Sequence, residues 1–314
     1  MMRTLIGEPN VRVDVAGTSM LVAVMLIHLT GPSVFVLQPI VVQGLVEQMG
    51  FSAQQANFTM FIEGGGKAIA SIALIWLVSR ASWRRLLLVA LVTMVAGNIA
   101  SIFVRQHEAF LVLRSLTGAA AGIIVPLSYA TVGLTPKADR NFGLMWVVLF
   151  IYAGLAFLIS PGIYRLAGMN GMFAFFAALA ACGLLLLRYM PVAGSLADES
   201  NATTIEVPWP RSILAIAGMF LFSAGMFAFW ANAALIGKEA NITEQDIAYA
   251  LSLSQFVSIA GALTTTFLAL RFGRLLPLTF GFVAIGASMA LLLGQPATLL
   301  FIVAIAAFNY AWNM

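Results

Sequence analysis

Two charged side chains stand inside the apolar run of residues 55–85, which ends in a basic turn at Arg80, Arg84 and Arg85. Glu63 and Lys67 are four residues apart, so on a helix they share one face, with Gly64, Gly65 and Gly66 between them. A carboxylate and an ammonium so placed can carry a proton, hold a charged solute or pair with each other. Ionisable groups inside a membrane helix cost about 2.5–3.5 kcal/mol each on insertion scales, so they face protein or a water-filled cavity. The structural alternative is an ion pair buried where the glycines let two helices approach closely. Arg114 sits about five residues into a later apolar run. Its guanidinium suits bidentate contact with a carboxylate or an anion, and Glu63 enters the membrane from the same side. The alternative is an arginine snorkelling to the headgroups. His28, in the middle of the first apolar run, titrates near neutral pH and suits proton coupling, or else packs as a hydrogen-bonded histidine between helices.

Nothing ionisable lies deep in the later apolar runs. Their candidates are Phe227, Trp230 and Asn232, then Asn309, Tyr310, Trp312 and Asn313. Rings with a few amides can hold an organic solute; the alternative is an aromatic belt at the membrane interface. There is no HExxH, no P-loop and no Cys/His cluster. Gly64-Gly65-Gly66-Lys67 is no nucleotide loop, since it lies in an apolar span and lacks the required spacing. No cofactor, no metal and no enzymatic activity are expected.

The elements that must position these groups are membrane helices. Of 314 residues, 61% are hydrophobic and 9% charged, against roughly 25% charged in soluble domains. So much apolar surface has no soluble core to enter, and an all-α polytopic membrane protein is expected. The single cysteine, Cys182, rules out an intrachain disulfide. The first apolar run is too long for a signal-peptide core and reads as a permanent span. At about 20 apolar residues per span, ten spans are expected: roughly 17–43, 55–79, 83–104, 109–132, 142–165, 170–189, 211–236, 246–270, 275–294 and 297–314. Connections are short except 190–210, which is polar and irregular and divides six spans from four. The domains expected are a six-helix bundle at 1–190, a cytoplasmic linker at 191–210 and a second bundle at 211–314.

With the N-terminus in the cytoplasm, eleven of the 16 Lys and Arg residues fall on the cytoplasmic side and three outside. The cytoplasmic set includes Arg3, Arg12, Arg80, Arg84, Arg85, Arg211, Arg271 and Arg274. This bias predicts a cytoplasmic N-terminus in a bacterial-type inner membrane. The basic turn at Arg80–Arg85 recurs at Arg271–Arg274, about 191 residues on, and the first spans of the two parts start about 194 apart. That agreement points to a six-span repeat. The expectation is then a partial sequence, with spans eleven and twelve of the second copy not included.

Three places make the chain resemble the major facilitator superfamily over nearly its whole length. The turn after span two carries Arg80, Arg84 and Arg85, similar to that family's glycine, acid and arginine signature, with Ile75, Ser79 and Ser82 at the other signature positions. Span four carries Arg114-Ser-Leu-Thr-Gly118-Ala-Ala-Ala-Gly122, similar to the family's arginine-then-glycine motif. Span five carries Ser160-Pro161-Gly162, an echo of the Gly-Pro motif of antiporters. The resemblance implies two bundles rocking about a mid-membrane site lined mainly by spans one, four, seven and ten. It also implies that the Arg80, Arg84 and Arg85 loop acts as a conformational switch. Since span two is not among those cavity helices, the ion-pair reading of Glu63 and Lys67 is preferred.

The expected function is secondary active transport of a small organic solute by alternating access, with a proton as coupling ion. His28, Lys67 and Arg114 against the single Glu63 tilt the solute toward an organic anion. The solute or proton pathway is expected at His28, Glu63, Lys67, Arg114, Trp230, Asn232 and Asn309. Membrane lipids are expected partners and nucleic acid is not. A drug or metabolite efflux antiporter, and a receptor or scaffold that keeps the fold without transport, stay open.

Overall fold

The computed structural model describes residues 17–192, 209–272, 275–294 and 296–314. Expectations placed on Arg3, Arg12, residues 193–208 of the linker and Gly273-Arg274, and on the side chains of Arg211 and Arg271, lie outside the described residues.

The described residues form helices and turns, with no strand among them. The first expected span is broken into α1 (Thr18–Thr30), α2 (Ser33–Val36) and α3 (Gln38–Glu47). Two prolines explain this departure from a continuous helix. Pro32 and Pro39 have no N–H to donate, and each ring crowds the carbonyl four residues back. The chain therefore leaves regular helix at Gly31-Pro32 and again at Leu37. Spans two to four are α4 (Ala53–Arg80), α5 (Trp83–Phe103) and α6 (His107–Gly133). α4 opens on a reciprocal cap. Gln55 N–H donates to the Ser52 hydroxyl at 3.1 Å, and Ser52 N–H donates to the Gln55 side chain at 2.9 Å.

Spans five and six form one run, α7 (Ala138–Leu186), of 49 residues. At ~1.5 Å per residue this is more than twice the ~30 Å apolar core of a bilayer, so it must turn. It does so at Gly168, whose φ of 61° and ψ of −154° suit a residue without Cβ. The later spans are α8 (Trp209–Glu239), α9 (Glu244–Phe272), α10 (Leu275–Ala290) and α11 (Thr298–Trp312). Six of these helices, α7 with its turn included, are long and apolar enough to cross a membrane.

Apolar packing falls into two clusters. One belongs to the first half alone, at the end carrying Arg80, and gathers Met20, Val24, Leu87, Leu91, Ile124 and Met190. The other lies toward the opposite end and joins the two halves, packing Leu45, Phe157 and Phe173 with Trp230, Ile247 and Phe308. Polar contacts reinforce that junction. Lys238 Nζ lies 3.3 Å from Glu47 and 3.1 Å from Glu244. Trp230 Nε1–H donates to the Val36 carbonyl at 3.2 Å.

The tightest approach is between α4 and α6. A Cβ at Gly118 would overlap the Glu63 carbonyl, one at Gly122 the Lys67 carbonyl, and one at Gly66 the Ser115 carbonyl. The Ser71 hydroxyl lies 3.0 Å from the Gly122 carbonyl and 2.8 Å from that of Lys67, so it can donate across the seam. With no hydrophobic drive between helices in lipid, close packing of small residues does the work.

Gly118→Val should therefore lower stability by about 1–3 kcal/mol or more, the usual range for overpacking. Gly65→Ala meets nothing within 4 Å and should be neutral or stabilising by roughly 0.5–1 kcal/mol. Reversible unfolding in mixed micelles checks the contrast; equal effects would contradict the packing described.

Candidate functional site

The α4–α6 seam fixes which way the α4 charges point. Glu63 and Lys67 line one side of a small open-sided cavity, together with Met60 and Gly64. Gly118 and Ala121 of α6 form its floor. The broken first span closes it with Gly31, Val34, Phe35 and Gln38. These four are spaced i, i+3, i+4 and i+7, the spacing of one helical face, which the segment keeps through its breaks. Gln38 is 8% exposed, and its side-chain oxygen is buried without a hydrogen bond.

Glu63 and Lys67 do not pair with each other. The ion-pair partner of Glu63 is Arg114, whose Nη1 lies 3.9 Å from Oε2. One long contact is not the bidentate fork that guanidinium geometry permits. Lys67 instead places its ammonium 5.6 Å from the centre of the Phe35 ring, a cation–π contact. No carboxylate among the described residues reaches ion-pairing distance of Lys67. The i,i+4 spacing gave proximity, but side-chain rotamers decided the partners.

Arg114 is 1% exposed, so it does not snorkel. Its Nη2 donates to Ser101 at 2.8 Å and Asn98 at 3.2 Å, and reaches the Gly97 carbonyl at 3.4 Å. The guanidinium also faces the Phe110 and Phe173 rings at 5.5 and 5.4 Å. One side chain thus ties α4, α5, α6 and the second segment of α7. The motif glycines and its arginine act together: Gly118 brings α4 close, and Arg114 meets the carboxylate that α4 carries.

His28 is buried one turn before the Gly31 break and packs on Tyr129 with ring centres 5.2 Å apart. Its Nδ1 has no hydrogen-bond partner. It lies beyond the cavity lining.

The second-half candidates are placed differently. Asn232 pairs with Asn57 of α4: Asn57 Nδ2 donates to Asn232 Oδ1 at 3.0 Å, and Asn232 Nδ2 donates to Asn57 Oδ1 at 3.1 Å. This amide pair joins the halves. Trp230 is buried in the junction, stacked parallel to Phe308 at 6.5 Å. Asn309 is buried in α11 and donates to the Ile305 carbonyl at 3.3 Å. An aromatic path does connect the cavity to that half. Phe35 meets Phe227 edge-on at 4.8 Å, and Phe227 meets Trp312 at 5.7 Å.

In the basic turn, Arg80 and Arg85 are exposed, while Arg84 is 2% exposed. Arg84 Nε donates to the Met190 carbonyl at 2.6 Å and its Nη2 to the Arg188 carbonyl at 2.8 Å. It fastens the start of α5 to the end of the first half. Gln38, Phe35 and Asn57 do not stand out in the sequence. A polar residue just before a mid-span proline is the signal that Gln38 offers. Among the described residues, no group of three His, Cys, Asp or Glu side chains could hold a metal ion.

The sequence matches the family described as the Major Facilitator Superfamily over residues 23–314. The chain belongs to the Major Facilitator Superfamily, and is an integral membrane transporter rather than an enzyme. Solved structures share the fold. The nucleoside transporter NupG matches with a TM-score of 0.70 and 18% identity, over 95% of this chain and 80% of its own. A D-xylose-proton symporter matches with a TM-score of 0.71 and 14% identity, over 94% and 80%. The xylose transporter XylE from E. coli, in a partially occluded inward-open conformation, matches with a TM-score of 0.65 and 14% identity, over 94% and 84%. Among curated proteins, none matches the sequence.

Arg114→Ala should cost about 3–5 kcal/mol, the range for leaving a buried partner charge uncompensated. Adding Glu63→Gln should recover part of it; strictly additive losses in a double-mutant cycle would contradict the pairing. For the Asn57–Asn232 pair, a Cys182→Ser background with cysteines at 57 and 232 should be joined by a short bifunctional thiol reagent. Failure to join them would contradict the closed junction.

Proposed function

We propose that this transporter moves a small organic solute, with organic anions favoured, by proton-coupled alternating access. The observation that carries the reading is the cavity wall itself. It holds one carboxylate, Glu63, and one ammonium, Lys67, with Arg114 buried behind the carboxylate. Counted as charges, the three groups leave an excess of +1, which favours an anionic cargo. Glu63 is the proton carrier in this reading, because Arg114 and a proton compete for the same oxygen. The likeness to a D-xylose-proton symporter is in keeping with proton coupling, but at 14% identity it carries the fold alone.

The halves joined at the end away from Arg80 form one gate of the cycle. Taking the basic end as cytoplasmic, in a bacterial-type inner membrane, the outer gate is closed by Asn57–Asn232, Lys238–Glu47 and the Trp230 cluster. Residues 1–190 and 211–314 then move as two bodies linked through 191–210. Arg80 and Arg85 are free to meet the other half when the inner side closes, while Arg84 keeps the turn in place. His28 sits on the proton route behind the break in the first span. Trp230 and Asn309 stand at the far wall of the pathway.

Uptake of a mixture of labelled organic acids into proteoliposomes tests this. Imposing a pH gradient, acid on the side of entry, should raise the initial rate roughly tenfold, and Glu63→Gln should remove that gain. A rate that ignores the gradient would sink proton coupling.

A further inference from the structure

Resting on the transport reading, we infer that the cavity selects carboxylates that carry a hydroxyl and an aromatic or bulky apolar body. Two unmet polar groups and an apolar lining in one space lead to this class. Lys67 has an ammonium on the cavity wall with, among the described residues, no carboxylate in ion-pairing range and the Phe35 face as its one recorded partner. A ligand carboxylate answers it with charge-assisted hydrogen bonds. Gln38, more than nine-tenths buried, lines the same cavity, and its side-chain oxygen has no donor among the described residues. A buried acceptor left unmet is costly, so a ligand O–H is favoured there over a methylene. The remaining lining is Phe35, Met60, Val34, Ala121 and glycine, and Phe35 and Phe227 keep part of their ring surface exposed. That surface suits an aryl or branched apolar group.

The charge balance separates this class from amino acids. Glu63 already has Arg114 at 3.9 Å, so the pair is close to neutral and Lys67 supplies the cavity's excess charge. A zwitterion brings no net charge to offset it, whereas a hydroxy acid brings one negative charge. Sugars answer Gln38 but leave Lys67 without a counter-charge.

Calorimetric binding to the detergent-purified chain tests the inference with four probes: mandelate, phenylacetate, methyl mandelate and phenylglycine. Mandelate should bind most tightly. Phenylacetate, without the hydroxyl, should bind about fivefold to tenfold more weakly. Methyl mandelate, without the charge, should bind at least about thirtyfold more weakly. Phenylglycine should fall below mandelate. Lys67→Gln should erase the preference for mandelate over its ester, and Gln38→Leu the preference for mandelate over phenylacetate. No binding of mandelate, a ranking led by the ester or phenylglycine, or preferences that survive both substitutions would overturn the inference. The four probes on the unaltered chain keep the test decisive should a variant fold poorly. Since binding needs no flux, mandelate binding without proteoliposome uptake would count against the transport reading alone. Gradient-driven uptake of other acids without mandelate binding would count against this inference alone.

Discussion

The backbone contact between α4 and α6 is the constraint on which the rest of the site depends. Gly66, Gly118 and Gly122 remove the side chains that would hold these helices apart, and carbonyls of each helix lie where a Cβ on the other would be. In lipid such contact is stabilised by dispersion and hydrogen bonds rather than by release of water. Its consequence is directional. Once the seam is set, Glu63 and Lys67 have a single route, toward the space between α6 and the broken first span. A wider spacing would let both side chains turn toward lipid, at a cost of a few kcal/mol each.

The three charges around that seam are handled unequally. Arg114 is surrounded by Ser101, Asn98, the Gly97 carbonyl and two aromatic faces, with Glu63 at the edge. One nitrogen, Nη2, makes all three of those hydrogen bonds, while Nε is buried without a partner among the described residues. Lys67 has one ring and open space. Arg114 is enclosed by protein on every side that its contacts describe, whereas Lys67 borders the cavity. In the proposed reading, Arg114 builds the site, Lys67 addresses the solute, and Glu63 stands between the two roles.

Much of this is legible in the amino-acid sequence. Apolar runs of span length, the basic turn after span two and the arginine-then-glycine motif carry family-level information, and they define an all-α facilitator fold. Other features turn on facts that spacing does not contain. Glu63 and Lys67 are correctly spaced for an i,i+4 pair, yet the distant Arg114 lies within ion-pairing reach of Glu63 and Lys67 does not. Asn232 reads as a solute-facing amide, and its partner, Asn57, lies 175 positions away. The first span reads as one helix by hydropathy, because proline changes hydropathy little while removing backbone donors. Gln38 escapes notice because one amide in an apolar run says nothing of which face meets the cavity.

The central claim is that the α4 charges face a water-accessible cavity rather than lipid. Thiol labelling of Lys67→Cys in a Cys182→Ser background, with the protein in native membranes, tests it most directly. A small charged thiol reagent should label the introduced cysteine readily when it has access from the Arg80 side, while a lipid-soluble maleimide should gain no advantage. Labelling only by the lipid-soluble reagent would contradict the account.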